Sequence, residues 1–370
     1  MKMRYKREDG CRAWLTHGEL PPETLREILR EYGSCEALYE RFVATKGSCL
    51  QGKVTSLQLE WLRRYAQPDE MHRMMQTMKD HDMGILSEED FGFPDTLRDI
   101  PDAPVFLFYI GNPDVLMGRC LTMVGARKAS PAGSDATRTV ARELSLQGVT
   151  IISGLAMGID TQAHEGCLEG ESPTVGVMAC GLDIDYPVEN AALKKEIIQR
   201  GGLLLSEYPP GTPALPFRFP VRNRILAGLG RAVIMMECQI KSGSMTTVTH
   251  ALNQGKDVYA YPGIPGTPWA EGAHQLLREG ASFFAKAEDI LEDLSWLDDK
   301  PMLKQQAAEA LPSLTPDQRK IMMILTQGEQ SFDQLCAASG LDTSTLSASL
   351  TMLQIMGLIK SLPGKSYIRA

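Results

Sequence analysis

Three short loops rich in glycine and serine carry the residues best suited to chemistry. The first holds Gly125, Arg127, Lys128 and Ser130 behind the apolar run 121–124. The second holds Ser153, Gly154 and Gly158 behind 149–152, and the third holds Ser242, Gly243 and Ser244 behind 232–236. A helical pattern follows each loop; after the second, Asp160 or Thr161 is placed to cap it. A strand, a small-residue turn and a helix start leave backbone N–H groups facing an anion. Glycine lets a phosphate approach because no Cβ intervenes. None of the loops fits G-x-G-x-x-G or G-x-x-x-x-G-K-[ST]. Turns of this composition also occur in α/β domains that bind nothing, so the loops alone leave both readings open.

Between Tyr208 and Met236 the chain carries Arg218, Arg222, Arg224 and Arg231 and no acidic residue, with Phe217 and Phe219 interleaved. Arginine for phosphate and an aromatic face for a base is the combination that binds single-stranded nucleic acid. The alternative is that the phenylalanines are core and the arginines pair with distant carboxylates. Arg127 and Lys128 in the first loop tip the balance towards nucleic acid. That reading requires the guanidinium groups to gather in one groove; scatter or internal neutralisation would undo it.

Groups for catalysis are sparse. His164 follows Asp160 by one helical turn, a spacing that suits a helix-face hydrogen bond. Ser153 sits in S-G-L-A, not in a G-x-S-x-G nucleophile elbow. Asp183 and Asp185 flank Ile184 in a turn. The eight cysteines contain no C-x-x-C pair, and no spacing suggests a metal site. No catalytic residue, cofactor or metal is therefore assigned. The rival reading, a nucleotide or nucleoside hydrolase using the same crevice, would need Glu207, Asp160 or Glu237 as general acid.

The 370 residues suffice for two or three domains, and 43% hydrophobic with 23% charged residues is ordinary for a globular protein. A net charge of -8 opposes a polyanion partner in sum, although a local field can override the total. Scattered cysteines, a polar MKMRYKREDG start and no apolar run near the ~20 residues that span a bilayer predict a reduced, cytoplasmic protein without signal peptide or membrane segment.

The elements that must position these loops follow in order. Residues 1–85 read as a helical module of the helix-hairpin-helix or SAM-like kind, with two short helices meeting at Gly33. Arg26 and Arg30 share their helix with Glu23, Glu27 and Glu31, which favours packing over nucleic-acid docking. Residues 84–102 read as a connector. Strands are expected at 105–110, 121–124, 149–152, 174–178, 203–205, 232–236, 258–261 and 282–284, with helices between most of them. This α/β alternation predicts a Rossmann-like parallel sheet covered on both faces, spanning 86–297. Residues 298–313 read as a linker. Residues 314–370 read as a winged helix with a two-stranded wing. Its third helix, TSTLSASLTMLQIM, has no Lys or Arg, which favours protein docking over duplex binding. Only Lys360, Lys365 and Arg369 speak for DNA there.

MVGARKASPAG, IISGLAMGIDTQAHEGCL, GLDIDYPVEN, LLLSEYPPGTPALPFRFPVRNRILAGL and SGS followed by GKDVYAYPG together resemble the DNA-processing protein A (DprA, or Smf) family. The resemblance runs nearly continuously from Phe93 to Leu294. It implies an extended Rossmann core, dimers formed through that core, and a cytosolic bacterial protein that is not an enzyme. It further implies binding of single-stranded DNA in natural transformation, protection of the incoming strand, and loading of RecA recombinase onto it. The family's Gly-Ser-Arg motif falls on Gly125, Ala126 and Arg127, with Ala126 lacking the hydroxyl. The F-P-x-R-N-R segment falls on Phe219, Pro220, Arg222, Asn223 and Arg224. Where relatives carry a basic residue after Tyr-Pro this chain has Val188, with Lys194 or Lys195 as possible substitutes.

Overall fold

A computed structural model describes residues 5–90, 92–297, 315–325, 330–355, 358–362 and 366–369. The chain divides into two compact units, residues 1–300 and 301–370.

Five helices open the first unit: α1 (Arg7–Thr16), α2 (Pro22–Tyr32), α3 (Cys35–Ala44), α4 (Ser56–Tyr65) and α5 (Pro68–Asp80). Gly33 ends α2 in the left-handed region, where a side chain would be strained, and Ser34 then caps α3 by accepting the Ala37 N–H at 3.1 Å. Trp14 is fully buried against Tyr39 and Phe42 and donates its indole N–H to the Leu62 carbonyl. This core continues without a break into the sheet, through Phe106, Phe108, Met178 and Leu204. Arg26 turns away from the acids of its own helix to make a bidentate pair with Glu88 and a bond to the Ala103 carbonyl.

The expected connector holds two elements of its own, β1 (Gly84–Ser87) and α6 (Asp95–Arg98). The remaining strands are β2 (Phe106–Gly111), β3 (Arg119–Val124), β4 (Val149–Ser153), β5 (Thr174–Met178), β6 (Leu203–Ser206), β7 (Ala232–Met235), β8 (Asp257–Ala260) and β9 (Ser282–Phe283). They form one nine-stranded sheet in the order β1-β2-β6-β5-β4-β3-β7-β8-β9. From β6 to β9 all pairs are parallel, whereas β1–β2 and β2–β6 are antiparallel. The expectation of an all-parallel sheet fails at this edge because an apolar run carries no direction, so the sequence of β2 did not show that it runs against β6.

Seven further helices complete this unit: α7 (Pro131–Leu146), α8 (Ile159–Glu169), α9 (Ala191–Gln199), α10 (Arg218–Leu229), α11 (Met245–Asn253), α12 (Glu271–Arg278) and α13 (Ala287–Asp293). Alternate strand residues serve the two faces. Leu121, Met123, Ile151 and Ile234 pack with α7, α8 and α13. Val124, Ile152, Val233 and Met235 pack with α10, α11 and α12. The chain steps outward from β3 to β6 and then returns to lay β7 on the other side of β3. That reversal opens a crevice at the C-terminal ends of β3 and β7.

The second unit contains α14 (Pro316–Ile324), β10 (Gln330–Ser331), α15 (Phe332–Ser339), α16 (Thr343–Ile355), β11 (Ile359–Leu362) and β12 (Ser366–Arg369). Leu335, Leu346, Leu350 and Leu353 form its core. The wing has three antiparallel strands, β10-β12-β11, rather than two, because two residues ahead of α15 add to its edge. The linker expected at 298–313, the Pro363-Gly364 turn and Lys365 lie outside the described residues. Among the described residues no helix is long and apolar enough to cross a membrane, and no cluster of His, Cys, Asp or Glu could hold a metal.

Candidate nucleic-acid interface

The crevice between the β3 and β7 loops is a cleft of about 470 Å³ whose wall is the start of α10. Two of the three loops that line its surroundings already hold an anion belonging to the chain. Asp160 Oδ2 accepts the N–H of Gly154 at 3.1 Å and of Ala156 at 3.3 Å. It therefore does not cap α8, whose N-cap is Gly158 with φ 80° and no side-chain bond. Ser153 is fully buried and donates its hydroxyl to the Met123 carbonyl at 2.7 Å. The amides of the second loop thus serve the fold, and Ser153 and Gly154 do not offer themselves to a ligand.

At the first loop the visitor is Glu237. Its carboxylate accepts the Ser130 N–H at 2.9 Å and the Ser130 hydroxyl at 2.7 Å. Ser130 also caps α7 by accepting the Gly133 N–H. A Cβ on Gly133 would lie 2.0 Å from the Glu237 carboxyl carbon, so glycine is what admits the carboxylate to this helix start. The third loop takes no carboxylate from elsewhere among the described residues, and its Ser242 and Ser244 N–H groups donate to the Gln239 carbonyl and Ser242 Oγ. Ser242 and Ser244 bond each other at 2.7 Å, Gly243 faces open space, and α11 begins at the next residue. Asn223 ties this loop to α10 by donating to Thr246 Oγ1 at 2.6 Å and to the Gly243 carbonyl at 3.3 Å.

The arginine run does not form the expected single groove. Arg222 is buried and donates to the carbonyls of Gly154 and Val177. Burial pushes its pKa down to about 10, offset by Asp160, so it stays cationic at neutral pH. Burial pushes the Asp160 carboxyl up, and Arg222 pulls it back. Arg224 pairs with Glu207 at 2.6 Å and reaches the Asp102 carbonyl at 2.9 Å. Arg218 pairs with Glu19 of the helical module and lies over the Tyr208 ring. Arg231 precedes β7, at the strand end remote from the cleft, and pairs with Asp257 at 2.9 Å. Each acidic partner lies outside the 208–236 stretch, from Glu207 just before it to Glu19 in the helical module, so the absence of acids within it concealed the neutralisation. Lys194 does not replace the cation missing at Val188, because it is buried on the Ile184 carbonyl and Asp185.

What faces solvent is smaller and mixed. Arg127 and Lys128 are exposed. The Arg127 guanidinium lies 4.8 Å from the centre of the Phe219 ring, and Phe219 lies 5.6 Å from Tyr186, which is 40% exposed. Trp269 donates its indole N–H to the Lys128 carbonyl at 3.0 Å. Tyr186 and Trp269 escaped the reading of the sequence as site residues; an aromatic next to a proline, as in Tyr186-Pro187 and Pro268-Trp269, was the available signal. His164 bonds Thr174 at 2.8 Å rather than Asp160. Each carboxylate considered as a general acid (Glu207, Asp160, Glu237) is engaged in the structural bonds above.

The sequence profile of the DNA recombination-mediator protein A family matches residues 84–295, and that of the DprA winged helix domain matches residues 305–365. The DNA processing protein DprA of Streptococcus pneumoniae is 39% identical over 236 residues, covering 64% of this chain and 82% of that protein. The Escherichia coli protein Smf is 34% identical over 296 residues, covering 77% of this chain and 76% of that protein. The crystal structure of the S. pneumoniae protein matches with a TM-score of 0.66 at 33% identity, covering 78% of this chain and 98% of that one. The Helicobacter pylori DNA processing protein A, studied for its single-stranded DNA binding mode, matches with a TM-score of 0.51 at 29% identity, over 58% of this chain and 95% of its own. With a family profile across most of the sheet and relatives above 30% identity over most of their length, the chain belongs to the DNA processing protein A (DprA/Smf) family.

Proposed function

We propose that this protein binds single-stranded DNA at the β3–β7 cleft without altering it, protects incoming DNA during natural transformation and loads RecA recombinase onto the strand, acting as a cytoplasmic homodimer. The observation that carries the reading is the solvent-facing cluster of Arg127, Phe219 and Tyr186 beside the Ser242–Ser244 loop. An arginine stacked on an aromatic ring supplies a phosphate contact and a base platform at one point. Membership of the family and the DNA-binding relative from H. pylori support it.

The net charge of -8 makes the rest of the surface repel a polyanion, so affinity concentrates on few contacts. Arg127→Ala is expected to weaken binding of oligothymidylate roughly tenfold. It should also lower the slope of log affinity against log salt by about 0.7, the share of one single-strand phosphate. Fluorescence anisotropy across a salt series measures both, and a variant that matches the parent in both refutes the site. RecA filament assembly on strands coated with single-strand binding protein tests the loading step. Specific turnover of any member of a nucleotide panel would overturn the non-catalytic part.

A further inference from the structure

The loop that presents Arg127 and Lys128 is fastened from outside at several points, and two belong to one residue. The Ala126 N–H donates to the Glu237 carbonyl at 2.6 Å, and the Glu237 carboxylate holds Ser130 at the other end of the loop. Glu237 is 4% exposed, so both bonds are sheltered from water. The Ile159 N–H donates to the Ala126 carbonyl at 3.1 Å, and Trp269 holds the Lys128 carbonyl. Between these anchors Arg127 projects to the Phe219 ring. By charge alone a carboxylate here works against DNA, because it adds repulsion beside a phosphate site.

We propose that Glu237 is a positioning residue for strand binding: the segment just after β7 clamps both ends of the β3–α7 loop through this one side chain and its backbone, and so fixes Arg127 against Phe219. The proposal rests on the strand-binding reading above. It fits the chemistry of the helix start, where an internal carboxylate holds the N-cap residue Ser130, which itself accepts the Gly133 N–H, and complements the helix dipole. It also explains how a site can keep an acid at its edge, since the clamp acts on geometry while Arg127 acts on DNA.

The test is a double-mutant cycle in the full chain, read by anisotropy with oligothymidylate. Glu237→Ala is expected to weaken binding about tenfold although it removes a negative charge. It should lower the salt slope as Arg127→Ala does, and it should cost nothing further in the Arg127→Ala background. Glu237→Gln, which can still accept from the Ser130 N–H and donate to the Ser130 hydroxyl, should restore binding to within about twofold of the parent. Ser130→Ala, a milder cut of the same clamp, should weaken binding and also be non-additive with Arg127→Ala. The proposal is overturned if Glu237→Ala binds as tightly as the parent or tighter, if its loss adds in full to that of Arg127→Ala, or, should Glu237→Ala not fold, if Ser130→Ala keeps parental affinity. Absence of strand binding by the parent protein, seen in the same titration, would instead remove the underlying function.

Discussion

Arg127 and Arg222 approach the same ring, with guanidinium carbons 4.8 and 6.0 Å from the centre of Phe219, yet their surroundings assign them opposite tasks. Arg127 has water on its far side. Arg222 has the Gly154 and Val177 carbonyls and the field of Asp160. Removing Arg222 would leave those carbonyls without their donor and the buried Asp160 carboxylate without its opposing charge. Arg222→Ala is accordingly expected to cost about 3–5 kcal/mol in urea unfolding, with no rescue by lysine, whose single ammonium lacks the forked geometry. Arg127→Ala should change stability by less than about 0.5 kcal/mol. Equal stability of the two variants would show that the buried guanidinium is dispensable. The contrast also marks what could be read from residue types alone. Arg127, Lys128 and the Ser242–Ser244 loop were legible because a motif beside an apolar run places them at a strand end. The fates of Arg218, Arg222, Arg224 and Arg231 were not, because their partners (Glu19, Gly154, Glu207, Asp257) are brought to them by the fold and not by any helical spacing.

Among the elements, α10 links the cleft to the helical module within the first unit. Its first two turns hold Phe219 and Asn223 at the cleft, while Arg218 and Arg224 point to the helical module and the connector. It is buried on nearly every side past Val221, which is why its helical pattern shows no polar stripe. The Arg218–Glu19 pair should show a coupling of about 1–2 kcal/mol in a double-mutant cycle read by urea unfolding. DNA affinity should move far less than with Arg127→Ala, and a strand-binding loss as large as that of Arg127→Ala would place Arg218 in the DNA path instead. Strands β3 to β9 were readable from apolar runs and the helices between them. The antiparallel entry of β2, the strand β1 inside the connector and the third strand of the wing were not, since strand direction and short edge pairings arise from tertiary contacts rather than from any periodicity.

For the whole molecule, pH acts through two buried histidines. Burial pushes His17 and His164 down to about 3, so both are neutral in the fold. In the unfolded chain each takes up a proton near 6.5. Between pH 6.5 and 3 the unfolded state therefore binds more protons, and stability falls as pH falls through that window, by up to about 1.4 kcal/mol per pH unit for each histidine. The raised carboxyl of Asp160 works in the opposite sense, losing stability as pH rises through its window. Urea midpoints at pH 7 and pH 5 should differ, and His164→Gln should shrink the difference; a midpoint that is flat with pH would contradict the assignment. The order of the sheet carries a last consequence. Strand β7 lies beside β3 in the sheet, yet β4, β5 and β6, on the other side of β3, all precede it in the chain. During translation Arg127 thus leaves the ribosome long before its opposing wall has been synthesised. A polypeptide terminated before Arg218 therefore has one wall of the cleft without the other.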